Sequence, residues 1–395
     1  ARLPDEFLAR AYQFLGHADR VYSNAVLKLK FPTRHVVLER LKDDETSLKL
    51  PRFFVAVDHT LKAVVLSIRG TYSLADAVTN CLCNDAPFLG GMAHNGFLAF
   101  ARELVAVAEE TIAELCHQYP SYTCAVTGHS LGGGVATLTA LLLRENQQGR
   151  PSQAGPSGAA AEAATGPAPL EGPVAGEDAA AAGTPVPPGT RIECYAWAPG
   201  TVFAPIEQLP QNDDSFAIYS FVNHGDMVPR LSRRNIMKMV HVLLSTDDLA
   251  MGDRERMSYL VGREQLPLVV AQQVVQAIDQ AEERVQHQNI TEMKVAGEIF
   301  AFLPIVNPTD KKDVGSMYSL RQVTADELAS QLLLVSDSAV SDHATSAYMQ
   351  AMERVVAPTP QIERSLSNGA EDIGSLGDVG SLTEDQLAAL KKEFR

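Results

Sequence analysis

Serine, aspartate and histidine at wide spacing set the chemistry open to this 395-residue chain. Gly128-His129-Ser130-Leu131-Gly132 places a serine between glycines, with Gly133 and Gly134 directly after it. A serine hydroxyl attacks a carbonyl only when a base takes its proton and a carboxylate orients that base. Asp226, in Asn223-His224-Gly225-Asp226-Met227-Val228-Pro229-Arg230, stands just after a strand-like run, where an orienting carboxylate belongs. Downstream of it, His241, His287 and His343 are the candidate bases. His241 sits in a basic helical run and His287 in a polar one, so both read as exposed helix positions. His343 lies in the loop-like stretch Ser341-Asp342-His343-Ala344, a better place for a reaching imidazole, and the residue types favour it without closing the other two. Acyl transfer further needs two donors for an oxyanion. The N–H of Leu131 is one, and Thr71, ending the strand-like run that closes in Arg69-Gly70-Thr71, is the candidate for the other.

These groups need elements to hold them. Tyr122–Thr127 reads as a short buried strand and Val135–Arg144 as an apolar helix, so the glycine-flanked serine falls in a strand–turn–helix setting. That setting is what a nucleophile elbow requires, and it aims the helix N-terminus at developing negative charge. Strand-like runs also cover Phe53–Val57, Ala63–Ile68, Arg191–Ala198, Ser215–Val222 and Lys294–Pro304. Leu3, Phe7, Ala11, Phe14 and Leu15 have the spacing of an amphipathic helix. Residues 97–118 form a longer helix stopped by Pro120, which cannot continue it. From 231 to 291 the pattern is helical, punctuated by Pro267, and Leu328–Leu334 reads as a helix or strand. Strands alternating with helices predict an α/β fold, a mostly parallel central sheet with helices on both faces. The order Ser, Asp, His along the chain is that of an α/β-hydrolase.

Two stretches depart from this pattern. Residues 147–190, almost entirely Ala, Gly, Pro, Ser, Thr and Glu, predict a disordered insertion. Residues 357–395 predict a flexible acidic tail ending in a short helix. The helix resembles the opening of an EF-hand protein, and these residues themselves are not expected to bind calcium. The remainder, 1–356, is expected to be one domain.

Composition narrows the function. A net charge of −15, from 33 Lys plus Arg and 48 Asp plus Glu, repels phosphate backbones and argues against nucleic acid as a partner. Five sparse cysteines do not make a disulfide framework, and Cys81-Leu82-Cys83 lacks zinc-site spacing. Reduced thiols and an intracellular location, cytoplasmic or peripheral to a membrane, are expected. No run of about 18 apolar residues occurs, so no transmembrane helix is expected within the chain.

The ordered series Val65–Thr71 with Ser73 and Asp76, His94-Asn95-Gly96-Phe97, Gly128–Gly133, Asp226–Arg230, Gly297-Glu298-Ile299, and Asp342-His343 with Tyr348 resembles the class 3 lipases. The wording Asp-x-Val-Pro-Arg, and a long insertion after the nucleophile helix, are most similar to the diacylglycerol lipase branch. Spanning roughly 50–355, the resemblance implies Ser130 as nucleophile, Asp226 as orienter, His343 as base, and Thr71 with Leu131 at an oxyanion hole. Residues 80–93 correspond to the family's lid. Phe88, Leu89 and Met92 would be its apolar contacts, with Asn80 where the family often has Asp. Also implied are a lipid ester substrate and peripheral contact with a membrane or lipid-droplet surface, with room for an anchor outside the chain. No metal or organic cofactor is called for. A phospholipase A1 or galactolipase on the same scaffold is the enzymatic alternative. A non-catalytic lipase-like binding protein is the other, against which the intact Ser/Asp/His set argues.

Overall fold

Apolar runs with few charges are stable only where both faces of a strand are covered, and here they line up in one sheet. The computed structural model describes residues 3–22, 34–40, 50–70, 84–149, 184–246, 252, 254, 267–288, 290–306, 314–331 and 337–356. The chain opens with helix α1 (Asp5–Arg20), followed by strands β1 (Arg34–Arg40), β2 (Phe53–Asp58), β3 (Ala63–Ile68), β4 (Asp85–Phe88) and β5 (Gly91–His94). Then come α2 (Asn95–Gln118), β6 (Thr123–His129), α3 (Leu131–Gln147), β7 (Ile192–Trp197), β8 (Phe203–Ala204) and β9 (Phe216–Asn223). Helices α4 (Arg233–Thr246) and α5 (Leu268–Gln286) precede β10 (Glu298–Val306) and β11 (Val314–Val323). Three short helices follow, α6 (Ala325–Ser330), α7 (Asp337–Ser341) and α8 (Thr345–Val356).

Among the described residues the main sheet has the order β1-β2-β3-β6-β7-β9-β10-β11. Neighbours from β3 to β10 are parallel, while β1 and β2 at one edge and β11 at the other run antiparallel. Burial is complete along β3 and β7, as two covered faces demand. Pro304 falls within β10, yet β10 pairs with β9 only over Glu298–Phe302, so the proline sits beyond the parallel ladder.

Each face has its own helices. On one side α2 and α3 pack Leu98, Leu104, Ile112, Leu138 and Leu142 against Val64, Leu66, Val126 and Ile218. His94 caps α2 by accepting the Phe97 N–H. On the other side α1 and α8 bury Phe14, Leu15, Tyr348 and Met352 against Val65, Trp197, Phe221 and Phe302. Trp197 stacks on Phe221 with ring centroids 4.1 Å apart. Burying such a side chain stabilises the fold by roughly 1.5–3 kcal/mol. At its start α1 carries Asp5 and Glu6, acidic residues that suit the positive end of a helix.

Some boundaries differ from the sequence reading. Residues 184–190, assigned above to the disordered insertion, are placed against the domain: Val186 is buried, and Gln147 donates to the carbonyls of Pro187 and Thr190. One valine with a core position to fill is enough to anchor so polar a stretch. Residues 150–183 of that insertion, and the 357–395 tail, lie outside the described residues. β4, β5 and β8 form a second, three-stranded sheet that the sequence did not suggest. A two-residue turn, Leu89-Gly90 with φ of 47° and 78°, joins β4 to β5. No described helix is long and apolar enough to cross a membrane.

Candidate active site

β6 runs up the middle of the sheet and ends at His129; α3 starts at Leu131. The single residue between them, Ser130, has φ 61° and ψ −128°, a left-handed conformation that costs a non-glycine residue of order 1–3 kcal/mol. The surroundings hold it there. Its N–H donates to Trp197 O at 2.9 Å, and its carbonyl accepts from Gly133 and Gly134. Turn and sheet approach so closely that a Cβ at Gly132 would strike the Ile68 and Arg69 main chain, which is why the pattern needs glycine there.

Asp226 follows the end of β9, where its N–H donates to Asn223 O at 2.8 Å. The side chain is fully buried. His343 lies in the short connection between α7 and α8, and its ring bridges the two other groups. Nδ1 is 3.0 and 3.1 Å from the Asp226 carboxylate oxygens, and Nε2 is 2.9 Å from Ser130 Oγ. An ionised carboxylate only accepts, so the proton of a neutral ring belongs on Nδ1. Nε2 is then free to accept the serine proton. The structure thus brings Ser130, Asp226 and His343 together. His241 instead lies on α4 beside Gln288, and His287 is the exposed cap of α5.

Burial alone would raise the Asp226 pKa, but the His343 charge and hydrogen bond, the Tyr348 hydroxyl and the Val228 N–H hold it below its ordinary value. The Tyr348 hydroxyl donates to Asp226 Oδ2 at 2.6 Å and accepts the Asn223 N–H at 2.8 Å. Burial and the adjacent carboxylate push the Tyr348 pKa well up, so it stays a donor. Arg230 spans the same turn, donating to the carbonyls of Asp226 and His224. Asp342 ties the histidine loop to the aspartate loop, accepting from Gly225 N–H and pairing with His224 Nδ1, both at 3.0 Å. None of these supporting roles was read from the sequence, although Tyr348 and Arg230 stood inside the quoted motifs.

Leu131 opens α3 directly after the serine, so its N–H stands at the positive end of the helix. Thr71 lies outside the described residues, which stop at Gly70 on that side. Of the segment read as a lid, residues 80–83 are likewise outside them. The rest forms the β4–β5 hairpin. Phe88 is 7% exposed there, part of the main core and edge-on to Phe203, while Leu89 and Met92 are half-buried. Phe88 therefore fills the core in this conformation rather than standing free at the surface.

The class 3 lipase family model matches residues 65–170, from β3 through the elbow and α3. A secreted mono- and diacylglycerol lipase A from Penicillium cyclopium is 39% identical over 94 residues, 23% of this chain and 31% of the relative. Human diacylglycerol lipase-alpha is 38% identical over 106 residues, 23% of this chain and 10% of the relative. The chain thus spans less than a third of the length of the curated relatives it matches. Among solved structures, the native Rhizomucor miehei lipase propeptide complex is 17% identical, covers 86% of this chain and 80% of its own, and gives a TM-score of 0.46. Residues 65–170, with Ser130 at the heart of the stretch, are thus similar to the class 3 lipases.

Proposed function

We propose that this chain is a serine lipase that hydrolyses fatty-acyl esters of acylglycerols, diacylglycerol foremost. The observation that carries the reading is the unbroken line from Ser130 Oγ through the His343 ring to the Asp226 carboxylate. His343 takes the serine proton as the hydroxyl attacks the ester carbonyl, while Asp226 fixes the tautomer and stabilises the imidazolium that forms. The oxyanion is held by the Leu131 N–H and by Thr71, each donor being worth about a hundredfold in rate or more. His343 returns its proton to the leaving glycerol oxygen, and water then releases the fatty acid from Ser130 by the same steps in reverse. Diacylglycerol is favoured because relatives named for mono- and diacylglycerol or diacylglycerol lipases match 23% of the chain at 38–39% identity. The β4–β5 hairpin, with Leu89 at its turn, is the proposed apolar contact with a membrane or lipid-droplet surface.

A fluorophosphonate probe tests the chemistry: labelling of folded protein at Ser130, absent in Ser130→Ala, is expected. An unlabelled Ser130 would favour the binding-protein reading. Fatty-acid release from diacylglycerol, phospholipid and galactolipid vesicles assayed in parallel tests the substrate. Faster release from either polar lipid would replace diacylglycerol with that class.

A further inference from the structure

Beside the proton relay runs a second line of hydrogen bonds that the mechanism does not use. The imidazole of His129, at the end of β6, is 4% exposed. Its Nε2 lies 2.7 Å from the main-chain carbonyl of His343. A carbonyl only accepts, so Nε2 carries the proton and Nδ1 accepts from the Tyr22 hydroxyl at 3.1 Å. The Tyr22 oxygen in turn accepts the Gly70 N–H, also at 3.1 Å. These three bonds begin on the residue before Thr71 and end on the main chain of His343. Packing reinforces them, since a Cβ at Gly70 would strike the His129 carbonyl, the Tyr22 hydroxyl and the Ser130 Cβ. The His129 ring also lies 4.8 Å from the His343 ring and 5.8 Å, edge-on, from Tyr348. Burial, and then the neighbouring His343 charge, lower the His129 pKa to about 3. The ring is therefore neutral at working pH and adds no positive charge beside the imidazolium formed in turnover.

We propose that His129 is a positioning residue, holding the His343 main chain with one nitrogen and, through Tyr22, the Gly70 end of the oxyanion strand with the other. The role rests on the serine-hydrolase reading above. Base and oxyanion donor come from segments far apart in sequence, and His129 gives them a common reference next to the nucleophile itself. A displacement of about 1 Å at such a site costs roughly a hundredfold in rate.

The test is steady-state hydrolysis of a soluble ester, p-nitrophenyl butyrate, by the full chain. His129→Leu should lower kcat by about tenfold to a hundredfold with KM within about twofold, the signature of a contact that matters in the transition state. His129→Gln, whose side-chain amide can donate to the same carbonyl, should recover kcat to within about fivefold of the parent. Tyr22→Phe should lower kcat by roughly threefold to tenfold. Parent-like kcat in His129→Leu, a loss confined to KM, or a Gln variant as slow as the Leu variant would overturn the proposal. Should His129→Leu fail to give a cooperative thermal transition, Tyr22→Phe decides, and an unchanged kcat there overturns it. Ser130→Ala separates the two readings. Hydrolysis that survives it removes the serine mechanism, whereas hydrolysis that needs Ser130 but ignores His129 removes only the positioning role.

Discussion

Two buried carboxylates show how differently this fold treats the same group. Asp226, beyond the end of β9, accepts hydrogen bonds from His343, Tyr348 and the Val228 N–H, and its pKa is held down despite burial. Glu109, in the middle of α2, is 7% exposed; among the described residues it accepts only from Asn146, and its other oxygen has no hydrogen-bond partner there. Burial drives its pKa up to about 7, and the Asn146 amide only partly counters this. Depth alone therefore does not decide ionisation; the number of donors aimed at the charge does. Around Asp226 the donors come from three separate segments, as befits a charge kept permanently in place. Beside Glu109 there is one, and the proton does the rest.

Changes at either carboxylate sharpen or break this contrast. The largest effect is expected for Asp226→Asn, whose amide would donate to His343 Nδ1 and impose the wrong tautomer. Hydrolysis of a soluble ester should fall by about ten-thousandfold. A loss under tenfold would mean that the buried charge is not orienting a base. Next comes Glu109→Gln. The folded-state pKa of Glu109 is raised, so the folded protein keeps a proton that the unfolded chain has already released. Its stabilising contribution is complete below the unfolded value, near 4.5, and is lost as pH rises through about 7. Urea unfolding of the parent should show this loss, on the order of 3 kcal/mol between pH 5 and pH 8.5. The Gln variant should flatten it, and an equal slope in both proteins would place the buried proton elsewhere.

Tyr348→Phe should cost about 1–3 kcal/mol in unfolding free energy, because it strips Asp226 of a donor and orphans the Asn223 N–H. It should slow hydrolysis by roughly tenfold. Unchanged values would show that Asp226 needs fewer donors than it has. The smallest change belongs to Asn146→Ala, about 0.5–1.5 kcal/mol, with the Glu109-linked loss of stability moved to higher pH. Movement the other way would mean that Asn146 does not serve the carboxylate.

What the sequence revealed depended on how local the determinant is. The serine elbow is contiguous: apolar strand, glycines and helix stand in one run of about twenty residues, so its geometry could be anticipated. The central parallel strands were legible because burial on both faces writes itself as unbroken apolar runs. β1 was missed because Arg34–Arg40, with a charge at each end and another at Glu39, lacks that signature. Hairpin β4–β5 was missed because Pro87 argues against a strand unless it lies at an edge, as it does here in β4, the edge strand of the three-stranded sheet. Phe88 read as a surface contact because the family resemblance puts it in an apolar lid, yet the hairpin folds it inward onto Phe203. The links among Tyr22, His129 and the His343 carbonyl were illegible for a different reason. They join the ends of α1, β3 and β6 to the α7–α8 connection, and no spacing along the chain encodes that meeting.

The span between nucleophile and base has a consequence for synthesis. His343 follows Ser130 by 213 residues, and the helix that seats its loop, α8, packs on α1 at the opposite end of the described chain. A ribosome emits the serine, its glycines and most of the sheet long before the imidazole exists. Truncated or half-made copies thus carry the elbow without its imidazole partner, and the Ser130–His343–Asp226 contacts assemble only once α8 docks on α1.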